Sequence, residues 1–396
     1  MATEGGFNEQ CITFGQMNFI NSSRFTWRTL TTWIRAYLIS RYLGIGTKEV
    51  LFSRLYNEFS SYGGMTQLIF GEQFSETFTW LLTENTIALR ELVDAQLDGN
   101  LAGMERNLLR LYNNAAERAR LLAEYNPFWD ETTWRELFNA YLDATIQMAN
   151  SFATGDYSRD VEAYDELIDL TEQIADYYTM GIFQFLTYDP LCTECLECEE
   201  LSPEQRAEIP IMLRCLTRGQ IDAIHEIRMF VYELVGWTRA YLISRYAGAG
   251  NAEILLERLD RTVSEFGGML AYVFGQEAAD EIARLSFQYV DLMTSMISAQ
   301  IEGDAEAANE ATRLLYENAA ETTSLLAGLN PFWDERVLRN IINTYIQDTI
   351  EESTTFLIGD YDRNINVFAQ LLRRTETTGN FLALGLYRYI VEQENL

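Results

Sequence analysis

Apolar residues recur at helical spacing through most of the chain, and glycines or an Asn-Pro pair interrupt them every 20 to 30 residues. Trp33, Tyr37 and Leu38, for example, place one apolar stripe on a helix that Gly44 ends. Such a stripe is buried against other helices, so the pattern predicts an antiparallel bundle. The predicted helices are A to Gly44, B from Thr47 to Gly63-Gly64, C over 72–98, D over 100–125, E from Asn126-Pro127 to Ala153, and F to Thr187.

The helical pattern occurs twice. The stretch Arg35–Tyr42 recurs unchanged as Arg239–Tyr246, and Asn126–Glu131 recurs as Asn330–Glu335, both 204 residues later. A constant offset over most of the chain indicates a duplicated domain. The sequence therefore predicts an all-α protein of two tandem antiparallel helical bundles with up-and-down connections.

The boundaries of the repeat divide the chain into four parts. Residues 1–23 precede the first copy, 24–187 form bundle 1, 188–227 form a connector rich in Cys, Pro and Glu, and 228–396 form bundle 2. The segment Cys11–Ile20 alternates loosely between apolar and polar residues, which is typical of extended chain. We expect residues 1–23 to be an extended N-terminal arm that docks on a neighbouring subunit.

The repeated motif Asn-Pro-Phe-Trp-Asp-Glu has the composition of a helix start. Asn126 can accept hydrogen bonds from the first turn, and Pro127 has no N–H to leave unpaired there. We expect a cap on helix E, with Phe128 and Trp129 as an apolar anchor that closes the corner between helices D and E.

Charge excludes several classes of partner. The formal net charge is −30, from 59 acidic and 29 basic residues, which argues against nucleic acid and against anionic membranes. Lys48 is the single lysine and His225 the single histidine, so P-loop, Schiff-base and Ser-His-Asp chemistry have no candidates. We expect no enzymatic activity and no cofactor.

Targeting signals give an expectation about location. No secretion signal and no membrane-spanning run are recognisable, so we expect synthesis in the cytoplasm. The final site is left open, with the cell or spore surface as one candidate.

The connector carries the residues best suited to metal binding. Cys192, Cys195 and Cys198 have the two-residue spacing of zinc or iron–sulfur ligands, and Cys215 could complete the set. Neighbouring glutamates disfavour thiolates unless a metal compensates them. Disulfides and free thiols therefore stand beside a metal site as interpretations. Cys11 is the odd cysteine and is the candidate for a cross-link between chains.

Carboxylates do not form a site that both copies share. Glu84, Glu91 and Asp94 on helix C correspond to Gln288, Ser295 and Ser298. Arginines do persist between the copies, and we expect them to form ion pairs that fix the register of the helices. These pairs of positions are Arg35 and Arg239, Arg41 and Arg245, Arg54 and Arg258, and Arg159 and Arg363.

Several short motifs together resemble a family of small, single-repeat helical proteins of anaerobic Firmicutes, whose members are often labelled acetylglutamate kinase. The chain has no phosphate-cradling glycine loop, so we expect no kinase chemistry. The resemblance implies a ferritin-like bundle. The motifs are Trp33-x-Arg35, Thr83-Glu84-Asn85, Asn114-Ala-Ala-Glu117, Asn126-Pro-Phe-Trp129, Gly155-Asp-Tyr157 and Tyr164-Asp165.

The resemblance also implies a ligand or metal site inside the bundle, because members tend to carry histidine on helices A, C and E. This chain replaces the histidines in both copies, so the family's ligand chemistry is not expected here. The matching positions are Leu30, Asn85 and Tyr141 in copy 1 and Leu234, Tyr289 and Tyr345 in copy 2.

Three functional hypotheses follow. The leading one is a non-enzymatic structural protein that self-assembles with copies of itself into a filament, sheet or spore-layer component, through its bundle faces and N-terminal arm. The second is a metal-binding or redox module at the connector cysteines, with zinc or an iron–sulfur cluster. The third is a degenerate ferritin-like bundle that binds a small molecule in an apolar pocket, where the family's site would lie.

Overall fold

The computed structural model describes residues 12–187, 215–248 and 251–393. The chain divides into two compact units, unit 1 (Met1–Arg206) and unit 2 (Ala207–Leu396). The described residues are almost entirely helical, as the sequence predicts. Cys11, Cys192, Cys195, Cys198 and the side chain of Cys215 lie outside the described residues.

Unit 1 is a bundle of long helices. The elements are β1 (Ile12–Thr13), α1 (Phe14–Leu43), α2 (Lys48–Met65), α3 (Gln67–Phe70), α4 (Glu72–Leu97), α5 (Leu101–Tyr125), α6 (Glu131–Thr154) and α7 (Tyr157–Thr187).

Unit 2 is also a bundle of long helices. Across the described parts of both units, no helix has the length and apolar character that a membrane span requires. The elements are β2 (Cys215–Leu216), α8 (Arg218–Ala247), α9 (Ala252–Phe274), α10 (Gln276–Glu302), α11 (Ala305–Leu329), α12 (Glu335–Leu357) and α13 (Tyr361–Gln393).

The predicted extended arm is wrong for residues 14–23, because α1 begins at Phe14. Thr13 and Gln16 form a capping box: Gln16 N donates to Thr13 Oγ1 at 3.4 Å, and Thr13 N donates to Gln16 Oε1 at 2.8 Å. Met17 is fully buried on the first turns of this helix. The cap and the buried face outweigh the loose alternation that suggested extended chain.

Helix α2 also continues past its predicted end. The structure carries it through Gly63 and Gly64 to Met65, where a break was expected. Gly63 serves a contact between helices instead, because a Cβ placed there would lie 2.3 Å from Thr79 Oγ1 on α4. The missing side chain lets the two backbones approach closely, and an isolated glycine inside a helix costs only about 1 kcal/mol.

Buried ion pairs set the register between α1 and α7. Arg24 Nη2 lies 2.6 Å from Asp176 Oδ2, and Arg35 Nη2 lies 2.5 Å from Asp160 Oδ2. The later arginine on α1 pairs with the earlier aspartate on α7. The two helices therefore run antiparallel. The expectation of register-fixing ion pairs is confirmed for Arg35.

The Asn-Pro-Phe-Trp motif forms a turn before helix α6 rather than its first turn. Asp130, not Asn126, is the N-cap, and its side chain accepts from Thr133 N at 2.8 Å. The side-chain amide of Asn126 instead donates a hydrogen bond to the backbone carbonyl of Gly181 on α7, at 2.9 Å. Trp129 is buried as an anchor and donates from Nε1 to a carbonyl of α7 at 3.1 Å. The prediction was therefore right about the anchor and wrong about the cap.

Candidate functional site

The interior of unit 2 contains a cavity of about 320 Å³. Side chains from all six helices of the unit line it, and most of them are apolar. A volume near 300 Å³ is at the lower end of the range for small-molecule pockets. The apolar lining residues include Phe230, Val231, Leu234, Val263, Phe266, Ile282, Leu285, Leu338 and Leu371.

Two tyrosines place hydroxyl groups in this apolar surrounding. Tyr289 on α10 and Tyr345 on α12 both line the cavity, and their ring centroids lie 5.9 Å apart. Both hydroxyl oxygens are buried, and neither makes a hydrogen bond of ordinary geometry with the described residues, although the two hydroxyls interact with each other and with Thr349. An unpaired buried hydroxyl is costly, so these two groups are suited to a partner that enters the cavity.

Tyr345 lacks the well-formed hydrogen bond that its counterpart in unit 1 makes. In unit 1, Tyr141 stands 204 positions earlier, and its hydroxyl lies 2.6 Å from Thr31 Oγ1 in a buried hydrogen bond. The residue that corresponds to Thr31 in unit 2 is Val235, which is buried and has no hydroxyl. The partner was replaced while the tyrosine stayed.

Burial raises the pKa of Tyr289 well above its ordinary value, and burial is also the main cause of the raised pKa of Tyr345. Both side chains therefore stay neutral through the physiological range. A neutral phenol can donate one hydrogen bond and accept another, so the pair can hold a carbonyl, a hydroxyl or an ether oxygen.

The cavity exists because unit 2 carries smaller side chains than unit 1 at matching positions. The residues 204 positions earlier in unit 1 are large, and several are aromatic. The replacements are Val231 for Trp27, Leu338 for Trp134, Ile342 for Phe138, Thr322 for Arg118, and Leu382 for Tyr178.

In unit 1 these larger residues pack together and leave a cavity of only about 20 Å³. Trp134 and Phe138 stack with centroids 5.1 Å apart, and Trp129 stacks on Tyr178 at 5.2 Å. Trp27 donates from Nε1 to Tyr62 Oη at 3.1 Å. Unit 1 therefore fills with its own side chains the region that unit 2 leaves open.

The mouth of the unit 2 cavity is polar. Asn340 and Thr377 are exposed there, and Arg374 joins them as a half-exposed cation. Arg374 Nε lies 3.0 Å from Asp348 Oδ2, and the Asp348 carboxylate is buried behind it. A polar rim around an apolar interior is the usual build of a pocket that takes its ligand from water.

Most of the positions that the sequence resemblance aligned with histidines line these cavities. Leu234, Tyr289 and Tyr345 all line the large cavity of unit 2. Asn85 and Tyr141 line the small cavity of unit 1. The structure thus brings all three matching positions together in unit 2 and two of the three in unit 1, where Leu30 is buried but does not line the cavity.

The carboxylates of the predicted helix C, which is α4 in the structure, form ion pairs with arginines. Arg110 Nη2 lies 3.1 Å from Glu84 Oε2, and Nη1 of the same guanidinium pairs with Glu91. Arg41 pairs with Asp94. Within the described ranges, no group of three or more His, Cys, Asp or Glu side chains is arranged to hold a metal ion. The metal, disulfide and cross-link hypotheses for the cysteines stay predictions.

Sequence reasoning missed the polar and small residues that open the unit 2 cavity. A signal was present, because Trp27, Trp134 and Phe138 all have smaller residues 204 positions later. One such change is ordinary variation between copies, but three changes on adjoining helix faces remove volume from one place. Comparing side-chain volume between the copies would have located the cavity.

No family model, no curated protein and no solved structure matches this chain. The fold and the site alone define the molecule: an all-α protein of two compact units, one of which encloses an apolar cavity with two buried tyrosine hydroxyls.

Proposed function

We propose that unit 2 binds a small, mostly apolar molecule in its interior cavity. The observation that carries this proposal is the cavity of about 320 Å³ whose apolar lining contains two buried hydroxyls without a hydrogen bond of ordinary geometry. An apolar molecule that enters this pocket buries its own apolar surface and that of the lining, which favours a mostly apolar ligand.

The cavity also defines the class of ligand. Its volume corresponds to roughly ten groups of the size of water, at about 30 Å³ each. The body of the ligand is apolar, because the apolar lining would otherwise leave its polar groups unpaired. One oxygen function on the ligand meets the hydroxyls of Tyr289 and Tyr345. A compact aromatic or alicyclic alcohol or ketone has this chemistry.

The proposed role is binding without chemical change. The raised pKa of Tyr289 makes it a hydrogen-bond donor at neutral pH and a poor general base. The charge of Arg374 at the mouth is neutralised by its ion pair with the buried Asp348. These features support a carrier or sensor of a small molecule rather than an enzyme.

Calorimetric titration of the full chain with naphthol, and with naphthalene as the analogue without a hydroxyl, tests the proposal. We expect naphthol to bind once per chain and naphthalene to bind more weakly. The double variant Val231→Phe/Ile342→Phe brings back side chains of the size found in unit 1 and should abolish binding. Val337→Phe adds similar bulk on the exposed surface of α12 and should leave binding unchanged.

The outcome depends on the two variants together. Binding that survives in Val231→Phe/Ile342→Phe, or that is lost equally in Val337→Phe, would show that naphthol binds elsewhere. Absence of binding in the wild-type chain would remove the proposal for this class of ligand.

We further propose that the two units are duplicated ferritin-like bundles, in the manner that the resemblance to the Firmicutes family implies. The identity of Arg35–Tyr42 with Arg239–Tyr246 supports the duplication, and so do helices α5 and α11, whose bounds differ by 204 residues at both ends. An experimental structure with a different helix order in unit 2 would contradict this.

Self-assembly is a second candidate function, and one observation favours it. Leu68 is 94% exposed in unit 1, and Tyr272, which is 204 positions later, is 93% exposed in unit 2. Large apolar side chains that are fully exposed at equivalent positions are suited to contacts between copies of the chain.

Negative-stain electron microscopy with and without reductant tests assembly. Regular fibres or sheets that disappear in Leu68→Ser/Tyr272→Ser would support it, and loss with reductant would add a role for the cysteines. Particles of one or two chains under both conditions would end this candidate.

A further inference from the structure

Unit 1 contains a buried arginine with no acidic partner. Arg118 on α5 is 5% exposed, and its guanidinium lies over the ring of Phe138 at 4.4 Å from the centroid. Its one hydrogen bond to a side chain is long, from Nη2 to Asn85 Oδ1 at 3.5 Å. Its Nε is buried and has no hydrogen-bond partner among the described residues.

The positive charge of Arg118 is not neutralised by a nearby carboxylate. Among the described residues no acidic side chain lies within ion-pair distance of it, in contrast to Arg24 and Arg35 of the same unit. Burial lowers its pKa to about 10, so the side chain is still charged at neutral pH. A buried, unpaired charge normally costs several kcal/mol, and a cation–π contact offsets only part of that cost.

A small cavity adjoins this charge. It measures about 20 Å³, and Arg118, Asn85, Tyr141 and Trp27 are among the residues that line it. A site needs roughly 10–15 Å³ to hold one water-sized occupant, so this one has room for a single such group. Arg118 lines this space, and its buried Nε–H is a hydrogen-bond donor without a partner among the described residues.

We propose that this cavity in unit 1 binds one small monovalent anion of the halide class, held by Arg118. A water molecule could accept the same hydrogen bond but would leave the charge in place, whereas an anion neutralises it. The volume excludes phosphate and sulfate. The mostly apolar lining favours a weakly hydrated ion such as chloride or bromide over fluoride, because such an ion loses less hydration energy on entering.

The site is independent of the ligand proposed for unit 2. Thr322 stands 204 positions after Arg118, so unit 2 lacks the cation in the corresponding place. Unit 1 has the charge and a space for one atom, and unit 2 has the large neutral cavity. Anion binding in unit 1 is therefore independent of small-molecule binding in unit 2. An experiment can contradict either proposal without affecting the other.

Crystals of the full chain grown in bromide give the direct test. Anomalous diffraction at the bromine edge should show one bromide within hydrogen-bond distance of Arg118 Nε, inside unit 1. A water or no density at that position, in data that locate other bromides on the surface, would overturn the proposal.

Thermal unfolding at constant ionic strength gives a second test at lower anion concentration. Replacing gluconate with chloride should raise the Tm of unit 1 by roughly 3–5 °C for each tenfold increase above the dissociation constant. Arg118→Met should remove this dependence. Arg110→Met removes the same charge from a half-exposed site and should retain it.

The two tests cover the case in which Arg118→Met fails to fold, since the bromide position is read from the wild-type chain. A Tm that responds equally to chloride and gluconate in the wild type, at concentrations where bromide crystals show no ion at Arg118, would reject the site.

Discussion

Arg239 and Glu352 form an ion pair in the interior of unit 2, with Arg239 Nη1 2.5 Å from Glu352 Oε1. The same Nη1 also donates to Asn364 Oδ1 at 2.8 Å. In unit 1 the equivalent arginine, Arg35, pairs with Asp160, which is the residue that corresponds to Asn364. The acid that neutralises the repeated arginine has therefore moved from the last helix of the bundle to the helix before it.

This difference between the units predicts that the carboxylate partner of Arg239 can be moved from position 352 to position 364. Glu352→Met installs the residue found in unit 1, where Met148 is fully buried, but leaves Arg239 without a counter-charge. We expect a loss of about 3–5 kcal/mol in the free energy of unfolding of unit 2. Glu352→Met/Asn364→Asp restores the arrangement of unit 1 and should recover most of that loss. Urea unfolding followed by intrinsic fluorescence measures both.

The single variant Asn364→Asp completes the cycle. It places a second carboxylate against Glu352, so we expect it to be destabilising on its own and stabilising when Glu352 is replaced. Additive effects of the two changes would contradict an exchangeable partner for Arg239.

Tyr289→Phe should separate stability from binding in unit 2. The Tyr289 hydroxyl is buried without a hydrogen bond of ordinary geometry, so its removal should leave the stability of the empty protein unchanged or raise it by about 1 kcal/mol. The same change removes a hydrogen bond to the proposed ligand and should weaken naphthol binding by roughly 2- to 10-fold. Urea unfolding and calorimetry measure the two effects. A large loss of stability would show that the hydroxyl has a partner within the protein.

The raised pKa of Tyr289 gives a pH dependence with a definite sign. The folded state favours the neutral phenol, whereas the unfolded chain releases the proton near pH 10. The contribution of Tyr289 to the stability of unit 2 should therefore be fully present below about pH 10 and be lost as the pH rises above it. Urea midpoints between pH 8 and 11 should fall less steeply in Tyr289→Phe than in the wild type, and equal slopes would contradict the assignment.

The cap of helix α12 provides a test of where that helix begins. Asp334 accepts a hydrogen bond from Val337 N at 2.9 Å, which makes it the N-cap instead of Asn330. Asp334→Ala should cost about 1 kcal/mol in the free energy of unfolding, and Asp334→Asn should retain most of it. If Asp334→Ala were neutral, the cap would lie elsewhere in the motif.

Local signals predicted most helix ends correctly. Gly44 and Gly155 both adopt the left-handed conformation after a helix, where glycine is strongly preferred, and both ends were anticipated. The errors arose where the same residue types served a tertiary contact. Gly63 permits close packing against Thr79, and Asn126 reaches Gly181 across the bundle. No local pattern distinguishes these uses.

Local sequence patterns could not predict the cavity of unit 2, for a different reason. Each lining residue, such as Val231 or Leu338, is an ordinary core residue at helical spacing. The space appears only when the volumes of side chains on six helices are added together. Leu234, Tyr289 and Tyr345, the positions that the resemblance aligned with histidines, all line this cavity, and the third hypothesis of a pocket there stays a proposal.

Neighbouring glycines in α2 give a matched pair for testing the close approach of helices in unit 1. A Cβ at position 63 would lie 2.3 Å from Thr79 Oγ1 and 2.7 Å from Thr79 Cα, whereas a Cβ at position 64 meets nothing within 4 Å. Gly63→Ala must push α2 away from α4, and we expect a loss of about 1–3 kcal/mol in the free energy of unfolding.

Gly64→Ala should have the opposite sign, because alanine is the better helix former by about 1 kcal/mol and finds open space. In unit 2 the residue that matches Gly63 is Gly267, whose added Cβ would lie 3.3 Å from Ala283 Cβ. A methyl neighbour at that distance can shift by a few tenths of an ångström, so Gly267→Ala should cost less than Gly63→Ala. Urea unfolding of the three variants measures the order of their free energies of unfolding. If Gly63→Ala and Gly64→Ala changed the free energy of unfolding equally, α2 and α4 would not approach as closely as the contact with Thr79 requires.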